Sequence, residues 1–265
     1  SLLQGPPDGE WSVTDYLDND GVTNDPIAIA VALTKTGNNL LVDFEGTSPQ
    51  CKGSIQPTFE TTKSAVYAVV RAVLGALGRS QMPNTSGYFR PVRVTAPVGC
   101  FVNPMLPGAT AARGLGCLRI FHAVMGAFSK MLPDKIMAAT GGCELGISMG
   151  GYDKNRKPWR PWLHVEFHPE QSVGGFPFKD GQDAQNIGLA NVANIPSELI
   201  EAEWPIKVTS YGFIPDSGGA GKHRGGLGLV REWELLMEET QVQVRSDRRH
   251  FPPYGLHGGL SGKAS

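Results

Sequence analysis

The chain has 265 residues, a formal net charge of −1 and only 18% charged residues. A charge balance this close to zero gives no reason to expect nucleic acid or an anionic membrane as a partner. The length suffices for a sizeable core in one large or two modest domains, and the low charge density points to surface covered by other chains.

Pro6-Pro7-Asp8-Gly9 reads as a turn before a strand over Trp11 to Leu17. Asp18-Asn19-Asp20-Gly21 looks like the start of a calcium loop but lacks the acidic ligand at the twelfth position, so it reads as a plain turn. Ile27 to Leu33 alternates large with small residues, and Leu40 to Phe44 is a second β run. Thr36-Gly37-Asn38-Asn39 between them predicts a hairpin. Ala65, Val69, Val73 and Leu77 place a helix over Thr61 to Leu77, with Thr61 or Thr62 as its cap. Val92 to Ala96 is a short strand. Thr110 to Leu132 is the strongest helix, with Leu118, His122, Met125, Phe128 and Ser129 near one face and Pro133 just past its end.

Ile136 to Ala139, Leu145 to Met149 and Trp162 to Phe167 read as strands, and Gly174 to Ile195 as a long loop that marks function or an interface. Pro196-Ser197-Glu198 opens a short helix, with Ser197 as a cap. Ile206 to Ile214, Leu227 to Met237 and Gln241 to Arg245 complete the strands. The class is α+β (mixed), with antiparallel-rich sheets, two long helices and long glycine-rich loops. Cys51, Cys100, Cys117 and Cys143 form no CxxC pair and read as reduced thiols. No apolar run approaches the roughly 20 residues needed to cross a bilayer. With no secretory leader at the start of the sequence, a cytoplasmic location is expected.

The run Asp216-Ser217-Gly218-Gly219-Ala220-Gly221-Lys222-His223-Arg224-Gly225-Gly226 holds five glycines in eleven residues, between two β runs. Glycine there permits φ > 0 and close approach by other groups. The run has no G-K-[ST], and Arg224 stands where a dinucleotide fingerprint needs its third glycine. Two readings remain: a structural β corner, which the residue types favour, and an anion nest of backbone N–H groups beside Lys222 or Arg224. Ser217 has Asp216 beside it and His223 six residues on, but no G-x-S-x-G elbow surrounds it. Asp180, Asp183 and Glu166 are of the right type for acid–base work, although carboxylates in such loops usually cap turns. His164, Glu166 and His168 alternate, so on a strand they would share one face. Three such ligands would suit a metal, but an exposed polar strand face is the simpler reading. Residue chemistry alone therefore stops at a cytosolic globular domain with unusual glycine-rich loops.

Several stretches match one family in the same order. They are Val42-Asp43-Phe44-Glu45-Gly46-Thr47-Ser48-Pro49-Gln50, Asn84 through Gly87 to Arg90-Pro91-Val92, and Ala96-Pro97-Val98-Gly99. Asn103-Pro104, Pro107, Arg113, Gly174-Gly175, Asp180-Gly181, Glu198, Glu201 and Pro205 follow, and then Asp216 to Gly226 with Leu227-Gly228-Leu229-Val230-Arg231-Glu232. The chain resembles the hydantoinase B / 5-oxoprolinase family, the B-type subunits that pair with an ATP-using A-type subunit. The resemblance implies a division of labour. The A-type partner, which holds ATP, phosphorylates the enol or imidate oxygen of a small-molecule substrate, or bicarbonate. The B-type chain then directs water or a carbanion onto the activated species, with a divalent metal in the complex.

The implied activity is hydrolysis of a cyclic amide (hydantoin, 5-oxoproline or lactam); ketone carboxylation is the chemical alternative, and a non-catalytic scaffold or interface module the alternative of another class. Residues 1–265 correspond to the central part of such a B-type chain, with a sub-boundary near 133–160. The family's metal-binding His and Asp cluster lies in an N-terminal portion with no counterpart here, so no metal ligand is carried onto this chain. The remaining portions of the B-type chain are expected as partners. Gln56 replaces a usual asparagine, and His223 a common tyrosine. On this reading Asp216, Ser217 and His223 are the catalytic candidates. Gly218, Gly219, Gly221, Lys222, Arg224, Asp180 and Asp183 are the candidates for binding a substrate or anion.

Overall fold

Period-two alternation of apolar residues builds the first sheet. A computed structural model describes residues 5–141, 146–155, 157–167, 172–185, 189–190 and 192–265. Strands β1 (Gly9–Leu17), β2 (Ile27–Thr36), β3 (Asn39–Asp43) and β4 (Val92–Thr95) lie in that order. The first three are antiparallel, and β4 joins β3 in parallel. Gly37, at φ +58°, makes the two-residue hairpin turn between β2 and β3, as its sequence predicts.

Ile29, Val31 and Leu33 of β2 and Leu40 and Val42 of β3 enter one core with the helices α1 (Phe59–Ala76) and α2 (Gly114–Met131). The cap of α1 is Thr58, whose hydroxyl accepts from the Thr61 N–H. Thr62 instead turns inward and donates to the Val102 carbonyl. The start of α2 falls at Gly114, because residues 111–113 form a turn.

Helix α2 differs from expectation in a second way. Every residue from Leu115 to Ser129 is buried, so the helix has no wet face. It lies against β1 and β2 on one side, and a Cβ on Gly126 would meet Val13 and the Tyr254 hydroxyl. The C-terminal segment is therefore a lid over α2. The polar side chains of Arg119, His122 and Ser129 are buried with it. Arg119 pairs with Asp15 at 3.4 Å and with Asp247, and Arg248 lies 3.7 Å from Asp15. His122 reaches Thr140 Oγ1 at 2.7 Å. Burial and the nearby Arg248 and Arg119 cations push the His122 pKa well below its ordinary value, so this histidine is neutral.

The second half has its own, smaller core. Strands β5 (Gly146–Asp153), β6 (Arg160–Phe167) and β9 (Thr240–Arg245) form an antiparallel sheet in the order β6-β5-β9. Strands β7 (Ile206–Phe213) and β8 (Leu229–Leu235) form a hairpin, and helix α3 (Ser197–Glu203) packs on β7. Ile147, Met149, Ile200 and Ile206 are the buried centre, with Trp162, Trp204 and Trp233 around them. The N-cap of α3 is Pro196, not Ser197, and makes no side-chain cap bond. Residues 136–139 form no strand, because the Ala138 and Ala139 N–H groups go to the carbonyls of Gly175 and Tyr254 in separate loops. Cys143, Leu145 and His168 lie outside the described residues.

The acidic stretch near residue 20 is a turn. Asp20 accepts from the N–H groups of Val22 and Thr23 and, across the fold, from those of Lys52 and Gly53. Asp18 accepts from the N–H groups of Arg249, His250 and Phe251. Burial opposes ionisation of Asp20, but the bonds from Thr23, Gly53 and Val22 outweigh it and hold its pKa at about 2. A depressed folded-state pKa contributes stability that is complete above the unfolded value of about 3.9 and is lost as pH falls through about 2. Asp20→Asn should therefore flatten the fall in melting temperature between pH 4 and pH 2; an acid limb identical to the wild type would refute this linkage.

Candidate functional site

The glycine run connects β7 to β8 and lies at the centre of a three-loop junction. Gly181 N donates to Arg224 O, Gly226 N to Val173 O, and Leu260 N to Ala220 O. These bonds tie residues 172–183, 216–228 and 253–263 backbone to backbone. There is no room for side chains between them. A Cβ would fall 2.2 Å from Gly225 O at Gly218, 2.3 Å from Leu260 O at Gly219, and 2.0 Å from Gln182 O at Gly226. Glycine is needed here for close approach, since none of the run's five glycines has positive φ. The run's one left-handed residue is Asp216, at φ +56°.

The junction forms a wall of a cavity of about 690 Å³. Ser217 to His223 contribute to that wall, together with Phe176, Tyr254, Leu256 and the inward face of β8. Among the described residues, no partner takes the backbone N–H groups of Gly218 to His223. Such a row of free donors suits an anion or an oxyanion.

The predicted residues separate into two groups. Lys222 and His223 lie on the cavity wall with Gly218, Gly219 and Gly221. Asp180, Asp183, Asp216 and Arg224 do not line it. Arg224 is committed elsewhere, with its guanidinium on Asp183 at 2.9 and 3.3 Å and on the Gly225 carbonyl. That hydrogen bond also holds the Asp183 carboxyl below its usual range, assisted by the Leu227 N–H. Asp180 accepts from the Arg224 N–H and sits 3.5 Å from His223 Nδ1. These carboxylates stitch the 172–185 loop to the run, the capping role that carboxylates in glycine-rich loops usually have. Ser217 donates to the Ile214 carbonyl and accepts from the Gly228 N–H, so its hydroxyl closes the corner.

Two further features are not legible in the sequence. His164 and Glu166 are expected on an exposed face, yet both are buried, at 0% and 5% exposure. They face the second core because Arg231 of β8 arrives opposite them and donates to Glu166 at 2.6 Å. Arg231 also donates to Asn194, and its guanidinium stacks on the Tyr211 ring at 4.0 Å. His164 Nε2 lies 3.1 Å from Glu166, with the Trp204 ring beside it. Gln56 is likewise buried and exchanges two hydrogen bonds with the Cys51 backbone. Cys51 is a poor nucleophile, since burial pushes its thiol up to about 11. Among the described residues, no three His, Cys, Asp or Glu side chains converge to hold a metal ion.

The sequence model of the hydantoinase B/oxoprolinase family matches residues 1–265. The chain belongs to this family. A Pseudomonas sp. (strain NS671) protein, named as the B-type component of a D-/L-hydantoinase, is 31% identical over 97% of this chain and 43% of its own length. The 5-oxoprolinase PfmaA of Pestalotiopsis fici is 30% identical over 94% of this chain and 18% of its own. Among solved structures, the ATP-dependent caprolactamase of Pseudomonas jessenii superposes with a TM-score of 0.71 at 25% identity, over 88% of this chain and 40% of that one. Nucleotide-free acetone carboxylase gives 0.83 at 15% identity, over 98% and 36%, which shows a shared fold. The chain spans less than half the length of each of these proteins. No helix among the described residues is long and apolar enough to cross a membrane.

Proposed function

We propose that this chain is the central part of the B-type component of an ATP-dependent complex that opens a cyclic amide. On this reading the A-type partner uses ATP to phosphorylate the substrate oxygen, and the glycine-walled cavity receives the activated species while water is directed onto it. One observation carries the reading: Gly218 to His223, whose N–H groups have no partner among the described residues, line the cavity, Lys222 among them. Backbone dipoles aimed at developing negative charge need no reorganisation during reaction. Lys222 adds a full charge, His223 is placed to move a proton on the same wall, and Arg224, Asp180, Asp183, Asp216 and Ser217 hold the wall in shape. The cytoplasm, where ATP is plentiful, is the proposed location.

Lys222 is exposed and has no partner among the described residues, so its removal should leave the fold intact. Lys222→Ala in the full complex is expected to lower kcat/KM about tenfold, the worth of one charge-assisted contact, with assembly and Tm unchanged. Wild-type kinetics would remove the anion role. Labelled bicarbonate offered in parallel with a cyclic amide separates hydrolysis from the carboxylase alternative.

A scaffold reading is favoured by the saturated Ser217 hydroxyl and by glycines that serve packing. If it holds, Arg224→Ala will lower activity only in proportion to the folded protein lost.

A further inference from the structure

The cavity extends from the glycine loops to β8, where Arg231 and Trp233 join its wall with Ile147 of β5. Residues two apart on a strand share a face and stand roughly 7 Å apart along it. Both carry a buried N–H with no acceptor among the described residues, Arg231 Nε and Trp233 Nε1. The side chains of Ile147, Met149, Ile200 and Ile206 offer no acceptor to either one, and Glu166 Oε2, itself buried and unpaired, is bonded to neither.

The orientation of Arg231 is fixed on three sides. One terminal nitrogen is on Glu166 at 2.6 Å, the other is on Asn194, and the Tyr211 ring covers its face. Of its three nitrogens, Nε is the one with no partner among the described residues. The positive charge is already offset by Glu166, so a carboxylate or phosphate arriving here would add a second negative charge in a dry site. A neutral carbonyl oxygen has two lone pairs, adds no net charge, and accepts from both donors.

We propose that Arg231 and Trp233 form a carbonyl-recognition subsite, taking the oxygen of an amide- or ketone-type group at the end of the cavity floored by β8. The subsite rests on the reading of this cavity as the ligand site. It adds to that reading a neutral pole, separate from the free N–H groups of the glycine wall.

The test uses the full-length B-type chain with its A-type partner, labelled with 5-fluorotryptophan and observed by 19F NMR. The Trp233 signal is assigned by its loss in Trp233→Phe, which keeps an aromatic ring and removes the N–H. The probes are 2-pyrrolidinone, a neutral cyclic amide, and acetate, a carboxylate. The expected result is that 2-pyrrolidinone moves the Trp233 signal, acetate does not, and Trp233→Phe weakens 2-pyrrolidinone binding about tenfold by calorimetry. A Trp233 signal unmoved by 2-pyrrolidinone, or moved by acetate at lower concentration, overturns the subsite, as does wild-type affinity in Trp233→Phe. If 2-pyrrolidinone binds without touching Trp233, and Lys222→Ala still impairs turnover, only the subsite falls. If it does not bind at all, and Lys222→Ala turns over normally, the reading of the cavity falls as well.

Discussion

Gly226→Ala is expected to cost about 3 kcal/mol or more and to lower Tm by roughly 6–12 °C. Its Cβ would stand 2.0 Å from the Gln182 oxygen and 2.6 Å from the carbonyl carbon, both backbone atoms. Neither side can yield cheaply. The Gly226 N–H is held by the Val173 carbonyl at 2.9 Å, and the Val173 N–H is held by that same Gln182 oxygen at 3.0 Å. Relief therefore requires two loops to move together, and with them the wall of the cavity. Gly221→Ala is the internal control. Its nearest neighbours would be His223 O at 3.5 Å and Gly259 Cα at 3.6 Å, which is ordinary contact. That variant should melt within about 0.5 kcal/mol of the wild type. Equal melting temperatures for the two variants would show that the junction is not packed as described.

The second large effect is expected at Arg119. Burial opposes its charge, but Asp15 and Asp247 outweigh that penalty and keep it protonated. Arg119→Leu fits an apolar helix, yet it strands two buried carboxylates with only Arg248, 3.7 Å from Asp15, nearby. Breaking a buried ion pair from one side typically costs 3–5 kcal/mol, about the loss expected here. Adding Asp247→Asn to Arg119→Leu should recover part of it, because the two effects share one contact and are not additive. The consequence reaches the site. Asp247 begins the segment that carries Tyr254 to the His122 carbonyl and on to the cavity wall. Limited proteolysis should therefore open the C-terminal segment of the single mutant first. Urea midpoints that do not distinguish the single mutant from wild type would show that the network contributes nothing.

Most of the strands and both long helices are legible because each rests on a local period. Alternation in Ile27–Leu33 places β2, and the i, i+4 pattern of Ala65, Val69 and Val73 places α1. The differences fall where a local signal meets a distant partner. Thr58 caps α1 although Thr61 and Thr62 look equally suitable, since only the fold draws Thr62 to Val102. Residues 136–139 look like a strand but give their N–H groups to two other loops. His164 and Glu166 read as a wet polar face because their neutralising partner lies 65 positions beyond Glu166 in the chain.

By itself the sequence determined the α+β class, the family, and the glycine run at the β7–β8 turn. Each of these follows from residue types and their order along the chain. Tertiary structure alone decided which polar groups face the cavity. Arg224, Asp180 and Asp183 have the same chemistry as working residues, and they became struts because their partners lie more than forty residues away. Arg231 became a candidate for ligand contact because Glu166 fixes it against a cavity that no local pattern encodes. Close packing of backbone on backbone leaves no trace in hydrophobic periodicity, and only glycine content hints at it.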